Sequence, residues 1–526
     1  MKRLPSALVL LTGLGCSAVS CRDPGTGMVY GFDTIKPSAK LTWTPCFDNL
    51  GCSKLEVPVD YSNKGLGTAS VAFIKLAGQN ATEESPSIVL IPGGPGGSGV
   101  DLLLSYRALL GQIMGEQYNY VSFDPRGVNN SGLGLDCFSG DAAARSAFNR
   151  AHSTGVTNSS SLEEQYDSSS IYGKRCNDAV KSSQPHGYYV TTPAVAHDLL
   201  TFVEAEAVAT SQPPSEAKLW AYAVSYGTVI GTTFASLFPK RVGRMVLDGV
   251  LNGDGYYKND WSESTDQMDE TIAKFSSLCH SAGSGKCSFW ASSPAAITTK
   301  LNGLLRQLQS HPVPISGAQV TYSDLKTLMM NTVYTPVAFF PGMADALHQL
   351  ENGDGSALAG LVDSLAITSD AGYVIRCVDS YRRNSLSTIG KFKNFVKYTV
   401  SKSKYLGDIW PIYVETVLCG SIRPQLPDSM VFQGQIGTKK PTSFPILFAS
   451  NTIDPVTPLK SARDMSARFP GSVLLLQEAI GHTIVSQGGS NCYFGYVQAY
   501  LGGVIPPSNI TCPQQYTPFI DGSILG

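Results

Sequence analysis

Three side chains in this sequence have the types and surroundings that nucleophilic catalysis requires. Ser225 lies in Leu219-Trp220-Ala221-Tyr222-Ala223-Val224-Ser225-Tyr226-Gly227-Thr228, an apolar run that gives way to Ser, then Gly, then a helical pattern. A strand, a sharp turn and a helix, with small residues two before and two after the serine, would lift its hydroxyl clear of the backbone. The usual pattern is G-x-S-x-G; here Ala223 takes the place of the first glycine. A serine hydroxyl is a poor nucleophile at neutral pH. It needs an imidazole to take its proton, and a carboxylate to hold that imidazole in one tautomer. Asp454, in Ser450-Asn451-Thr452-Ile453-Asp454-Pro455, and His482, in Ala479-Ile480-Gly481-His482-Thr483, follow later strand-like runs. Ser, acid and His thus stand in the chain order of an α/β-hydrolase.

Plainer readings compete. Asp before Pro is a common turn former, and Asp248, at the end of the preceding strand, is the rival acid. His482 could be an ordinary loop residue. His197, beside Asp198 in a helical pattern, suits a structural role better. The chain has seven histidines, and only His482 falls where a base is needed.

Pro92-Gly93-Gly94-Pro95-Gly96-Gly97-Ser98-Gly99 follows another apolar run. It lacks the G-K-[ST] ending of a phosphate loop. As an oxyanion loop it makes sense, because glycines let backbone N–H groups approach a developing alkoxide. The expected donors are the N–H of Tyr226, directly after the nucleophile, and the N–H of Gly94. Asp124 and Arg126, in Asp124-Pro125-Arg126-Gly127, are read as braces for the loops.

The elements that must position these groups alternate between strand and helix. Leu55–Val59, Ala69–Ile74, Ser87–Ile91, Tyr118–Phe123, Leu219–Val224, Arg244–Val250, Phe444–Ala449 and Ser472–Leu476 read as strands. A continuous apolar run such as Ser87–Ile91 suits a strand buried on both faces. Thr192 as N-cap and Pro193 in the first turn read as the start of a helix. The serine-rich stretch 153–170 reads as a surface loop. Alternation of this kind predicts an α/β fold with a mostly parallel, doubly covered sheet. Between about 253 and 430 helical periodicities replace the strands, as in an inserted helical cap. The expected organisation is residues 1–21 as signal peptide, 22–252 and 431–526 as the two parts of the core, and 253–430 as the cap.

With 526 residues and 43% apolar content the chain can bury a large core. Its net charge of −2 and the lack of a basic run make nucleic acid an unlikely partner. Lys2 and Arg3, the apolar run Leu4–Leu14 and the small residues Ala18-Val19-Ser20 read as a secretory leader. Leu14-Gly15-Cys16 faintly suggests a lipoprotein cleavage site, with Gly13 against it. No later run of about 18 apolar residues suggests a membrane span. Twelve cysteines fit an oxidising compartment. Without a C-x-x-C and with few histidines, zinc is a poor reading. Sequence does not dictate cysteine connectivity. Neighbour pairing is the working hypothesis: Cys46 with Cys52, Cys137 with Cys176, Cys279 with Cys287, Cys377 with Cys419, and Cys492 with Cys512. Asn80, Asn129, Asn158 and Asn509 each open an N-x-[ST] sequon.

Taken together, Pro92–Gly99, Asp124-Pro125-Arg126-Gly127-Val128, Ser225-Tyr226-Gly227-Thr228 and Asp454-Pro455-Val456-Thr457-Pro458 resemble the prolyl/tripeptidyl aminopeptidase group of α/β-hydrolases. Tyr334-Thr335-Pro336, Ala344-Asp345-Ala346-Leu347 and Gly353-Asp354 are also similar to that group, as is the tail, where Cys492 and Cys512 flank Tyr500-Leu501. The resemblance runs from about Trp43 to Cys512. It implies a capped active site and hydrolysis of peptide or related acyl bonds, often from a free N-terminus, without a cofactor. It carries over Ser225 as nucleophile, Asp454 as orienting acid, His482 as base, and Tyr226 with the Gly94 region as oxyanion hole. The sequence departs from the family at Ala223, at Thr483 (where Gly commonly follows the His) and at Ile422 (where a Trp is common). The last leaves the substrate class open. An exopeptidase also needs a carboxylate for the substrate ammonium, for which Glu263, Glu270, Glu351 and Glu415 are candidates. The expected partner is a small peptide or acyl substrate. An esterase or lactonase, or a non-catalytic binding protein of the same fold, are the rival readings.

Overall fold

The computed structural model describes residues 27–152, 155–156, 161–363, 370–507 and 510–521. The expected leader and the Asn158 and Asn509 sequons lie outside them.

The described residues include twelve strands: β1 (Thr44–Cys46), β2 (Leu50–Pro58), β3 (Thr68–Ala77), β4 (Ser87–Ile91), β5 (Asn119–Asp124), β6 (Leu219–Val224), β7 (Val242–Asp248), β8 (Val313–Ile315), β9 (Ala318–Val320), β10 (Leu447–Ile453), β11 (Val473–Ile480) and β12 (Ile510–Cys512). Ten of them form one sheet in the order β1-β2-β3-β5-β4-β6-β7-β10-β11-β12. β1, β2 and β3 join antiparallel, as does β3 to β5; from β5 to β12 every pairing is parallel. The central parallel strands β4 and β6, Ser87–Ile91 and Leu219–Val224, are dominated by apolar residues, as suits strands covered on both faces. All six residues of β5 are buried.

Seven helices matter to the site: α1 (Gly99–Tyr106), α2 (Ser161–Ser182), α3 (Thr192–Ala209), α4 (Gly227–Leu237), α5 (Ala371–Ser380), α6 (Leu459–Ser466) and α7 (Asn491–Leu501). One core layer packs Ile88 and Leu90 of β4, Tyr222 of β6, Val246 of β7 and Leu475 of β11 with Leu103 of α1 and Val497 of α7. Elsewhere Phe73 of β3 stacks on Phe202 of α3 at 4.4 Å between ring centroids.

Two local expectations are corrected. The serine-rich stretch is helical from Ser161 onward, not a loop. Its buried stripe, Ser161, Gln165, Ser168, Ser169, Tyr172, Cys176 and Ala179, has helical spacing but is largely small and polar, so hydropathy concealed it. Helix α3 is capped by Thr191 rather than Thr192, which falls in its first turn.

The chain divides into two compact units. The whole ten-stranded sheet lies in one, with residues 253–271 and 370–430 of the stretch expected to form the cap. The described residues 272–363 and 516–521 make the other. Within that smaller unit Phe275 meets Phe340 at 5.1 Å and Phe519 at 6.0 Å, beside helices and the β8–β9 hairpin. Disulfides join Cys46–Cys52, Cys137–Cys176, Cys279–Cys287, Cys377–Cys419 and Cys492–Cys512, the pairing hypothesised from sequence. No helix among the described residues is long and apolar enough to cross a membrane.

Candidate active site

The turn between β6 and α4 places Ser225 at φ 56°, in the left-handed region that an L-residue seldom occupies. The strain is held by neighbours on both sides. Ser225 N–H donates to Asp248 O at 3.0 Å, and Thr228 N–H donates to Ser225 O at 2.8 Å. Gly227 is required here: a Cβ on it would lie 2.4 Å from Ile91 O and 2.8 Å from Pro92 O. Ala223 fits the shortened pattern because it is a fully buried strand residue that needs no special dihedral.

His482 follows β11. Its Nε2 lies 2.8 Å from Ser225 Oγ, and its Nδ1 lies 3.1 Å and 3.2 Å from Asp454 Oδ2 and Oδ1. An ionised carboxylate can only accept, so Nδ1 carries the proton and Nε2 presents its lone pair to the serine. The structure thus brings together all three groups from the ends of β6, β10 and β11. Asp454 is fully buried and also accepts from Val456 N–H (2.9 Å), Thr457 N–H (2.8 Å), Thr483 N–H (3.2 Å) and Thr457 Oγ1 (2.8 Å). Thr457 Oγ1 is also 3.1 Å from His482 Nδ1. Sequence reasoning missed Thr457 in this cluster; its position three residues after the acid, in Asp454-Pro455-Val456-Thr457, was the available signal.

The loop that carries the histidine is fixed from below. Asn451 Nδ2 donates to Gly481 O (2.8 Å) and Thr483 O (2.9 Å), and Gln487 Nε2 donates to His482 O (3.0 Å). Asp248, the rival acid, does not fill the orienting role. Its oxygens accept from Ile484 N–H (2.7 Å), Val485 N–H (3.1 Å) and Tyr222 O–H (3.0 Å). Burial pushes its carboxyl up to about 6, against these hydrogen bonds, and the nearby Asp454 charge acts in the same direction as burial.

The glycine-rich loop passes directly against the serine. A Cβ on Gly93 would sit 3.0 Å from Ser225 Cβ and 3.5 Å from Ser225 Oγ. Gly94 has φ 116° and precedes a cis peptide to Pro95. A Cβ on Gly94 would lie 2.8 Å from the amide nitrogens of both Gly96 and Gly97. Tyr226 is the N-cap of α4, so its N–H belongs to the amides a helix leaves without an internal acceptor.

Asp124 and Arg126 are braces, as the sequence suggests. Asp124 accepts from Ser98 Oγ (2.6 Å), Val100 N–H (3.2 Å) and Asn130 N–H (3.1 Å), tying the glycine loop and α1 to β5. Arg126 is fully buried in a bidentate pair with Asp198, through Nε at 2.7 Å. His197 stacks on Tyr61 at 4.7 Å. The candidate ammonium anchors are already engaged: Glu263 with Asn252, Lys460 and Ser461, Glu270 with Gln267, and Glu351 with Lys300. Glu415 is buried at φ 47° and lies 3.0 Å from His152 Nε2. Ile422 is buried.

A parallel sheet with a serine elbow and an imidazole within bonding reach of the hydroxyl defines a serine hydrolase of the α/β-hydrolase fold. Residues 86–277 match the family described as alpha/beta hydrolase fold, and residues 415–512 the family described as TAP-like protein. Over these two segments the chain is similar to α/β-hydrolases and to TAP-like proteins. It is similar to serine protease Hip1 of Mycobacterium tuberculosis, at 27% identity over 96% of this chain and 98% of that one. It is also similar to carboxylesterase B of the same organism, at 24% identity over 97% and 98% of the two chains. Tripeptidyl aminopeptidase of Streptomyces lividans is 23% identical over 91% of this chain and 88% of its own.

Proposed function

We propose that this protein is a secreted serine hydrolase that cleaves peptide or aminoacyl amide bonds through an acyl-enzyme, acting as an aminopeptidase-like exopeptidase. Ser225 Oγ attacks the substrate carbonyl while His482 Nε2 takes its proton. Asp454 holds the imidazole and offsets its positive charge. The N–H groups of Tyr226 and Gly94 stabilise the oxyanion. His482 then gives its proton to the leaving amine, and water, activated by the same imidazole, releases the acyl group. The observation that carries this reading is the 2.8 Å separation of His482 Nε2 and Ser225 Oγ.

Residues 253–430 are read as the cap that selects substrate, set between the core parts 22–252 and 431–526. The five disulfides support an oxidising destination outside the cytosol. The exposed Asn80 and Asn129 are the sequons this chain offers for glycosylation among its described residues. The peptide assignment draws on the relatives named serine protease and tripeptidyl aminopeptidase. A relative named carboxylesterase, matched over nearly its full length, favours an ester reading instead.

Turnover of aminoacyl and tripeptidyl p-nitroanilides, against short acyl p-nitrophenyl esters, separates the two readings. Amide cleavage abolished by Ser225→Ala is expected. Turnover of esters alone would remove the peptidase assignment, and failure of Ser225 to react with a fluorophosphonate would remove the enzyme.

A further inference from the structure

The reaction described above leaves one buried acid without a task. Asp379, near the end of α5, accepts from Thr192 N–H at 2.8 Å, from Thr192 Oγ1 at 2.6 Å and from Tyr256 O–H at 2.7 Å. Thr192 Oγ1 is in turn 2.6 Å from the hydroxyl of Tyr226. With the threonine hydrogen directed to the carboxylate, its lone pair is left to accept from Tyr226 O–H. The order is therefore Tyr226 to Thr192 to Asp379, and Tyr226 is the residue after the nucleophile.

The other end of the same helix meets the glycine loop. A Cβ on Gly372 would lie 2.4 Å from Pro95 O, and a Cβ on Gly96 would lie 2.6 Å from Gly372 N. That end is itself anchored, because Asp370 accepts from Arg145 Nη1 (3.0 Å), Tyr172 O–H (2.9 Å) and Cys137 N–H (3.0 Å). The Cys377–Cys419 disulfide ties down the middle. One ten-residue helix thus meets the loop that carries Gly94 directly and reaches the Tyr226 hydroxyl through Thr192.

We propose that α5 is a strut holding the two oxyanion donors in register, and that Asp379 is a positioning residue that acts through Thr192 on Tyr226. The proposal rests on the reading of the Tyr226 and Gly94 amides as those donors. Stability alone does not account for the arrangement. Burying a carboxylate is costly, and well-packed apolar side chains of similar volume usually stabilise a core as well or better. Burial raises the Asp379 carboxyl to about 6, even though Thr192 and Tyr256 donate to it and Arg383 is near. What the polar chain supplies is a directional constraint on Tyr226, where small displacements matter.

The test is phosphonylation of Ser225 by a fluorophosphonate, because the adduct places a charged oxygen where the oxyanion would sit. The maximal rate constant, the half-saturating probe concentration and the final labelled fraction are measured separately. For Asp379→Asn and Thr192→Val the rate constant is expected to fall about tenfold or more, less than the roughly 10²–10³ lost when a donor is deleted. The half-saturating concentration should stay within twofold, and Thr192→Ser should restore the rate. A purely structural role would lower the labelled fraction or the melting temperature and leave the rate constant of the labelled sites intact; that result overturns the proposal, as does a rate within twofold of wild type. If Asp379→Asn fails to fold, the Thr192→Val and Thr192→Ser pair decides. Wild-type protein that does not label at Ser225 would instead overturn the catalytic reading itself.

Discussion

Two buried carboxylates stand at neighbouring strand ends, and they do different work. Asp248 closes β7 and Asp454 follows β10, strands that pair in parallel. Both are fully buried, and both bond to the loop that bears His482. Asp454 reaches the imidazole, with Thr457 O–H and three backbone amides holding its oxygens in place. Among the described residues, the side chain of Asp248 instead reaches the amides of Ile484 and Val485 and the Tyr222 hydroxyl. Position at a strand end therefore does not make an acid the orienting one. The atoms it meets do.

The sharpest way to break this distinction is to neutralise each acid in turn. Asp454→Asn replaces an acceptor facing Nδ1–H by a group that can donate, which favours the wrong tautomer. The turnover number is expected to fall on the order of 10⁴-fold with the fold retained. The same change at Asp248 should lower turnover by no more than about tenfold, since its contacts hold backbone rather than the ring. Equal losses in steady-state assays would erase the contrast between the two acids.

Gly249, the residue after Asp248, shows how closely the second acid's strand end approaches the first acid's partner. It has φ 67°, and a Cβ there would lie 2.6 Å from Thr483 Cγ2 and 3.3 Å from His482 Cε1. Gly249→Ala should shift the imidazole and cost about 10²-fold in turnover, the effect expected of a displacement near 1 Å. Retention of more than a third of wild-type activity would mean that the histidine loop is softer than its hydrogen bonds imply.

Asp248 also leaves a mark on the pH dependence of stability. Burial raises Asp248 to about 6, so between its unfolded value near 3.8 and 6 the native state holds a proton that the unfolded state has released. The stability this contributes is fully present below about pH 3.8 and is lost as pH rises through 6. Its upper bound is about 3 kcal/mol, the free-energy equivalent of the rise from 3.8 to about 6. Asp248→Asn removes this slope. The variant, weakened overall by an amide group that cannot accept from both Ile484 and Val485, should close its gap to wild type as pH rises from 4 to 7. Melting temperatures of both proteins across that range check the sign, and a gap that widens with pH contradicts it.

Ser225, Asp454 and His482 were legible in the sequence because strand, turn and helix signals bracket each of them, and because their chemistry leaves few substitutes. The glycine loop was legible for a related reason: positions such as Gly94 and Gly227 demand conformations or clearances that other residues do not tolerate. What stayed hidden was support delivered across long separations. Thr457 bonds locally to Asp454, but its reach to His482 spans 25 residues. Thr192 and Asp379 lie 187 residues apart. No periodicity announces such pairs. The helix at Ser161–Ser182 was missed because its buried face is largely small and polar.

Thr483 tests how far the side chain, rather than the backbone, serves this loop. It sits at φ 59°, where a β-branched residue is strained by about 1 kcal/mol or more. Its N–H donates to Asp454 Oδ2 at 3.2 Å, and its Oγ1 donates to Ser486 Oγ at 2.7 Å. Thr483→Gly relieves the strain and keeps the amide bond. It gives up the hydroxyl contact and adds entropy to the unfolded chain, each worth roughly 0.5–1 kcal/mol. These changes nearly cancel, so the melting temperature should move by less than about 4 °C, and turnover should stay within twofold. A large loss of turnover in Thr483→Gly would place the threonine side chain among the groups that hold His482. The unchanged rate expected here leaves that work to the amide, to Asn451 and to Gln487, and makes the left-handed conformation at this position a tolerated cost rather than a device.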